Sequence, residues 1–252
     1  LKILLSNDDG FHATGLRSLA EALQSIGDVM VAAPSHERSA VGHGITVHDP
    51  LRITYQPLIP SLQDSFMTNG TPADCVKLAV QALGWRPDLV ISGINSGANL
   101  GTDVLYSGTV SAAMEGLILG FPAIAVSLCG TSPSGFEDAA AVVSRMLQND
   151  LLPLRKDTLY NVNIPDGISC SNPPELRFTR QGMRIYNNMF EERRDPKGIP
   201  YYWLGGTSSA ADNGPGIDMA AIADGCISVT PLRPDLTNCS VLQELPRSVA
   251  FD

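Results

Sequence analysis

The chain has 252 residues, 44% of them hydrophobic and 17% charged, enough to bury a sizeable core and unlike a disordered or low-complexity sequence. Its formal net charge of −9 excludes a broad nucleic-acid or anionic-membrane surface, which needs clustered Lys and Arg. Five scattered cysteines (Cys75, Cys129, Cys170, Cys226, Cys239) contain no C-x-x-C pair, so they predict reduced thiols rather than a disulfide framework or a zinc cluster.

The first apolar run, residues 3–5, predicts a buried strand. It stops at Ser6-Asn7-Asp8-Asp9-Gly10, too soon for a signal peptide, and a cytoplasmic location is the expectation. Leu16, Leu19, Ala20, Leu23 and Ile26 then mark a helical stripe, and residues 29–33 a second buried strand. Thr71, Pro72 and Asp74 carry the signals of a helix start, with Val76, Ala79, Val80 and Leu83 expected inward. Residues 89–91 and 123–126 read as further buried strands. Between them Val110, Ala113, Met114, Leu117 and Ile118 form a helical stripe, and Ala139, Val142, Val143, Met146 and Leu147 form another.

This alternation predicts an α/β fold with a mostly parallel sheet covered on both faces over residues 1–152. Residues 153–252 lose the alternation. There, 176–179, 201–204 and 227–230 predict strands that extend the sheet, with a protruding hairpin and a C-terminal tail, not an independent domain. The cluster Tyr201-Tyr202-Trp203 predicts either internal packing or a subunit contact.

In such a sheet the loops leaving the strands' carboxyl ends gather on one rim. Asp8 and Asp9 leave the first strand, Ser39 follows the second, and Asn95 follows the strand ending near Ser92. Together they form an all-oxygen set suited to Mg²⁺, Mn²⁺ or Ca²⁺. Taken alone, Asp8-Asp9 reads first as a polar turn. A glycine-rich stretch from Ser92 to Gly101 precedes Ser107-Gly108-Thr109, which opens a helix where a phosphate is favoured by free N–H groups. Ser107 also suits a plain N-cap. After Leu5 there is neither G-x-G-x-x-G nor a P-loop, and Ser107 lacks the G-x-S-x-G frame of a hydrolase nucleophile. A phosphorelay receiver would want a later Asp and Lys at strand ends, and a D-x-D phosphatase fails because Gly10 stands at the second position. His12, His36, His43 and His48 fall in or near the first two rim loops, without an assigned catalytic role.

These segments resemble the SurE (survival protein E) family of metal-dependent 5'-nucleotidases. Ser6-Asn7-Asp8-Asp9-Gly10 is similar to its N-terminal signature, and residues 69–76 to a second block. The run from Ser92 through Asn95, Asn99, Asp103 and Tyr106-Ser107-Gly108-Thr109 to Glu115-Gly116 is similar to a third, and 218–221 and 228–232 resemble its C-terminal portion. The resemblance implies a Rossmann-like three-layer core holding one divalent cation per subunit, Mg²⁺ or Mn²⁺ foremost and Ca²⁺ next, on Asp8, Asp9, Ser39 and Asn95. It implies hydrolysis of nucleoside 5'-monophosphates, with 3'-nucleotides and short polyphosphate as further substrates. Asp8, Asp9 and Asn95 would be catalytic, and Asn95, Ser107, Gly108 and Thr109 would bind substrate. It also implies a homodimer or homotetramer built through the C-terminal region.

Overall fold

The computed structural model describes residues 1–130, 135–187, 190–205, 207–210, 214–246 and 248. In chain order the core elements are β1 (Lys2–Ser6), α1 (Thr14–Leu23), β2 (Asp28–Pro34), β3 (Ile53–Tyr55), β4 (Ser65–Thr68), α2 (Pro72–Lys77), β5 (Leu89–Ser96), α3 (Gly108–Ile118), β6 (Ala123–Cys129), α4 (Phe136–Gln148) and β7 (Leu159–Pro165). Then follow β8 (Leu176–Phe178), β9 (Arg184–Asn187), β10 (Phe190–Arg194), β11 (Pro200–Leu204), β12 (Thr207–Ala210), α5 (Asp218–Ala223), β13 (Ile227–Leu232) and α6 (Cys239–Glu244).

Nine strands form one sheet in the order β3-β4-β2-β1-β5-β6-β7-β13-β8. From β4 to β7 all neighbours are parallel, whereas β3 and β13 run antiparallel to β4 and β7. Side-chain alternation sorts the core into two halves. Ile3 and Leu5 pack with α1 and α4, while Leu4, between them, packs with α2 and α3. The predicted mostly parallel α/β architecture is therefore present, with helices on both faces.

Strand order reverses between β1 and β5: β2 and β4 lie to one side of β1, and β5, β6 and β7 to the other. At such a switch point the loops diverge over opposite faces and leave a crevice at the strands' carboxyl ends. The loops carrying Asp8 and Ser39 leave there, and Asn95, expected just after a strand ending near Ser92, lies instead within the last residues of β5, which runs on to Ser96.

Two predicted inward residues face solvent instead. Leu83 is exposed because α2 passes into a π-helical turn over Leu78–Ala82, and the residue added to that turn shifts the stripe past it. Ile118 is exposed because α3 meets the sheet through its small residues. A Cβ at Gly116 would lie 2.7 Å from the Val90 side chain, so the closest approach falls on the Ala112, Ala113 and Gly116 side and turns Ile118 outward. Thr71 does cap α2, in a reciprocal pair with Asp74: the Thr71 hydroxyl accepts from Asp74 N, and the Asp74 carboxylate accepts from Thr71 N.

Beyond β7, the pairs β9–β12 and β10–β11 form an antiparallel hairpin outside the main sheet. Tyr201, Tyr202 and Trp203 are exposed, so internal packing does not account for them. Among the described residues all five cysteines are free thiols, and no helix is long and apolar enough to cross a membrane.

Candidate active site

Asn7 closes the turn after β1 by donating Nδ2 to Gly10 O at 2.9 Å, and Gly10 has φ +101°, open to glycine but strained for other residues. Arg38 N donates to Asp8 O at 2.7 Å and Phe11 N to Pro34 O at 2.7 Å, which ties this turn to the loop after β2. The turn carries Asp8 onto the first residues of α3. Thr109 Oγ1 donates to Asp8 Oδ1, and the N–H groups of Thr109 and Gly108 act on the same carboxylate. A Cβ at Gly108 would lie 2.7 Å from the Asp8 Cβ, so that approach requires glycine. Even so, burial dominates and holds the Asp8 pKa above its ordinary value.

Asp9 turns toward the end of β5, where Ser96 N donates to its Oδ2 at 3.1 Å. Burial, resisted by that N–H and reinforced by the charges of Asp8 and Glu37, pushes the Asp9 carboxyl up to about 6. Ser39 Oγ donates to Glu37 Oε1 at 2.7 Å, which leaves its oxygen lone pairs for another partner. Asn95 donates Nδ2 to Gly97 O at 2.9 Å, so Oδ1 is its remaining polar atom.

Asp8, Ser39, Asn95 and Ser107 line a single cavity of about 640 Å³. Asp9 adjoins it through Ser96, whereas Gly108 and Thr109 are turned to Asp8 rather than to the open space. Ser107 caps α3, its Oγ accepting from Val110 N at 3.0 Å. The same cavity is also lined by Tyr106, by Asp103 and by Tyr186 and Leu204 of the hairpin. Tyr186 OH and Arg184 both hydrogen bond to Asp103, fixing the hairpin base against the 3₁₀ turn Gly101–Leu105.

The supporting residues were less visible in sequence. Asn161 and Asn163, two apart on β7 and so on one face, both donate Nδ2 to Asn99 O, at 2.9 and 3.0 Å. Asn163 Oδ1 accepts from Asn99 N, and Asn99 Nδ2 donates to Ser127 Oγ, so the glycine-rich loop is locked from below. Asp218, fully buried, accepts from Gly101 N and Gly182 N. Two polar residues inside the apolar run 159–165 were the available signal for this lock, and the charged run Glu37-Arg38 for the Glu37 contact. Of the histidines, His43 pairs with Glu115, His36 with Ser35, and His12 stacks edge-on to Phe11.

Among the described residues no group of three or more His, Cys, Asp and Glu is gathered for a metal. The donor set still fits a hard cation, because it is two carboxylates completed by hydroxyl and amide oxygens. Ser6 Oγ, Ser92 Oγ and Asn7 Oδ1 are buried without a hydrogen-bond partner among the described residues, and Ser6 and Ser92 are register neighbours on β1 and β5. Like charge beside uncompensated oxygen is an arrangement that a bound cation stabilises.

Fold and site together define a doubly wound α/β protein with an acid-lined crevice at its switch point. The family description Survival protein SurE matches residues 3–188. Proteins called 5'-nucleotidase SurE from Moorella thermoacetica and Heliobacterium modesticaldum are 49% and 48% identical, covering 99% and 97% of this chain and 96% and 90% of theirs. The crystal structure of the Aquifex aeolicus SurE protein superposes with a TM-score of 0.82 at 41% identity, covering 97% of this chain and 98% of that one. The chain belongs to the SurE family.

Proposed function

We propose that this protein is a divalent-metal-dependent 5'-nucleotidase, hydrolysing the phosphomonoester of nucleoside monophosphates in the Asp8 cavity. The observation that carries the reading is the cavity's mixed lining. Asp8, Ser39, Asn95 and Ser107 share it with Tyr106, Tyr186 and Leu204, so one space offers polar groups for a phosphate and aromatic and apolar side chains for a nucleoside. The relatives' name supports the same substrate class. A cation on Asp8, Asp9, Ser39 and Asn95 would supply Lewis-acid polarisation of a phosphoryl oxygen and a more acidic water.

The residues themselves do the positioning. Asn95 and Ser107 hold the phosphoryl group, with the positive end of α3 at Gly108 and Thr109 behind Asp8. Thr109 keeps Asp8 in one orientation, and Asp9, held by Ser96 N, is placed to take a proton. Tyr106 and Tyr186 exclude water from the nucleoside and fix its distance from the phosphate site. 3'-Nucleotides and short polyphosphate present a terminal phosphoryl group to the same polar residues and are included as further substrates. A homodimer or homotetramer through the C-terminal hairpin completes the reading.

The test is phosphate release from nucleoside 5'- and 3'-monophosphates and tripolyphosphate after chelation, as Mg²⁺, Mn²⁺ or Ca²⁺ is restored. Activity should vanish with chelator and return with one of these cations, and Asp9→Asn should lose at least about 100-fold in kcat. Full turnover by the chelated protein, or by Asp9→Asn, would refute the mechanism.

A further inference from the structure

The chain is acidic, with 17 Lys and Arg against 26 Asp and Glu, and five of its arginines are neutralised by carboxylates. Arg155, Arg177, Arg184, Arg193 and Arg194 each pair with a carboxylate. Arg38 and Arg52 form no ion pair among the described residues, yet both open onto one polar cavity of about 400 Å³ that is separate from the catalytic one. Asn69 ties the Arg38 side chain to the Arg52 backbone: its backbone O accepts from Arg38 Nη2 at 2.7 Å, and its Oδ1 accepts from the Arg52 backbone N at 2.8 Å. Asn69 Nδ2 in turn donates to Pro50 O, so the residue that organises both arginines is itself fixed. Thr46, Thr71 and Asp49 complete the polar lining.

Two guanidiniums and one carboxylate leave this hollow positive by one charge in a chain of net −9. Like charges that share one cavity repel, and an oxyanion relieves that repulsion while accepting several charge-assisted hydrogen bonds at once. The lining contains no aromatic side chain to stack on a base, so the chemistry selects a bare oxyanion rather than a nucleotide. We propose that the Arg38–Arg52 cavity is a second anion site, for inorganic phosphate, distinct from the catalytic centre.

Its location ties it to that centre. Arg38 precedes Ser39, which lines the catalytic cavity, and the Arg38 N–H holds the Asp8 carbonyl at 2.7 Å. Phosphate drawn onto the Arg38 side chain therefore restrains the segment that positions Asp8 and Ser39. Any effect of phosphate on cation affinity is matched by an equal effect of the cation on phosphate affinity.

The test is calorimetric titration of the full chain with inorganic phosphate, in Mg²⁺ and in chelator. In chelator the Asp8 carboxylate lining the catalytic cavity, with Asp9 beside it, faces phosphate without a cation and repels it, so the arginine cavity is read alone. Wild type should bind one phosphate per chain there, Arg52→Gln should weaken it at least tenfold, and Asp49→Asn should tighten it at least twofold. Arg86→Gln, with the same change of net charge at an exposed site elsewhere, should stay within twofold of wild type. Opposite responses at Arg52 and Asp49 are not produced by misfolding. No phosphate bound in chelator, or equal affinities in wild type and Arg52→Gln, overturns the proposal whether or not the metal mechanism holds.

Discussion

At Asp9, burial and two neighbouring acids act against a single N–H from Ser96, and the carboxyl is pushed up to about 6. The sign of the consequence follows from linkage. The folded chain binds this proton more tightly than the unfolded chain, whose carboxyl titrates near 4, so its contribution stabilises the metal-free protein as pH falls through 6 and is lost as pH rises. A cation must compete with that proton. Its apparent affinity should therefore fall as pH drops below about 6, and calorimetry between pH 5 and 8 should resolve the decline. Asp9→Asn should flatten that profile. In chelator at pH 7.5 it should also raise the melting temperature, by a few degrees for about 1 kcal/mol of relieved burial and repulsion after solvent screening. A melting temperature that falls would mean Asp9 is already compensated in the metal-free chain.

At the scale of elements, Glu115 of α3 clasps the loop that carries Ser39. It is 3% exposed, with His43 Nε2 at 2.9 Å and Lys77 Nζ at 2.8 Å. Burial raises its pKa, but the hydrogen bonds and charges of His43 and Lys77 outweigh burial and leave it lowered. A lowered acid contributes stability above its unfolded pKa of about 4.3, lost as pH falls through the folded value. Glu115→Gln should cost about 1–3 kcal/mol in urea unfolding at pH 7, as expected for truncating a buried charge-assisted pair. The same variant should lose less stability than wild type on acidification. A uniform loss at every pH would assign Glu115 to packing alone.

At the scale of the whole molecule, the β10–β11 ribbon is exposed on both faces. Phe190 opposes Leu204 and Glu192 opposes Tyr202 on one side, and Trp203 opposes Glu191 on the other. A two-stranded ribbon that buries neither face is marginal in water, and an exposed aromatic stripe is stabilised by a partner. Light scattering should give the mass of two or four chains. Replacing Tyr202 and Trp203 with Ser should reduce it to one chain, and a monomeric wild type would remove the C-terminal assembly.

What was legible in the sequence is what local rules govern. Continuous apolar runs predicted β1, β2, β5 and β6, periodicity predicted α1, α3 and α4, and Thr71-Pro72 predicted the start of α2, because each depends on neighbours within a few residues. The acids, the hydroxyl and the amide at the rim followed from parallel strands sharing one direction. Tertiary contacts decided the rest. Asp8 takes the N-terminal amides of α3, a partner 100 residues away, so Gly108 and Thr109 serve a carboxylate in this structure. Leu83 turns outward through one π turn, and Ile118 because Gly116 sets how near α3 comes to Val90. The asparagines of β7 become a lock only once Asn99 is laid across them, and Arg38 and Arg52 share a cavity across Asn69, which bonds the side chain of one and the backbone of the other. A local pattern specifies an element and its buried face; which side chains meet depends on long-range packing, and no short window of sequence contains it.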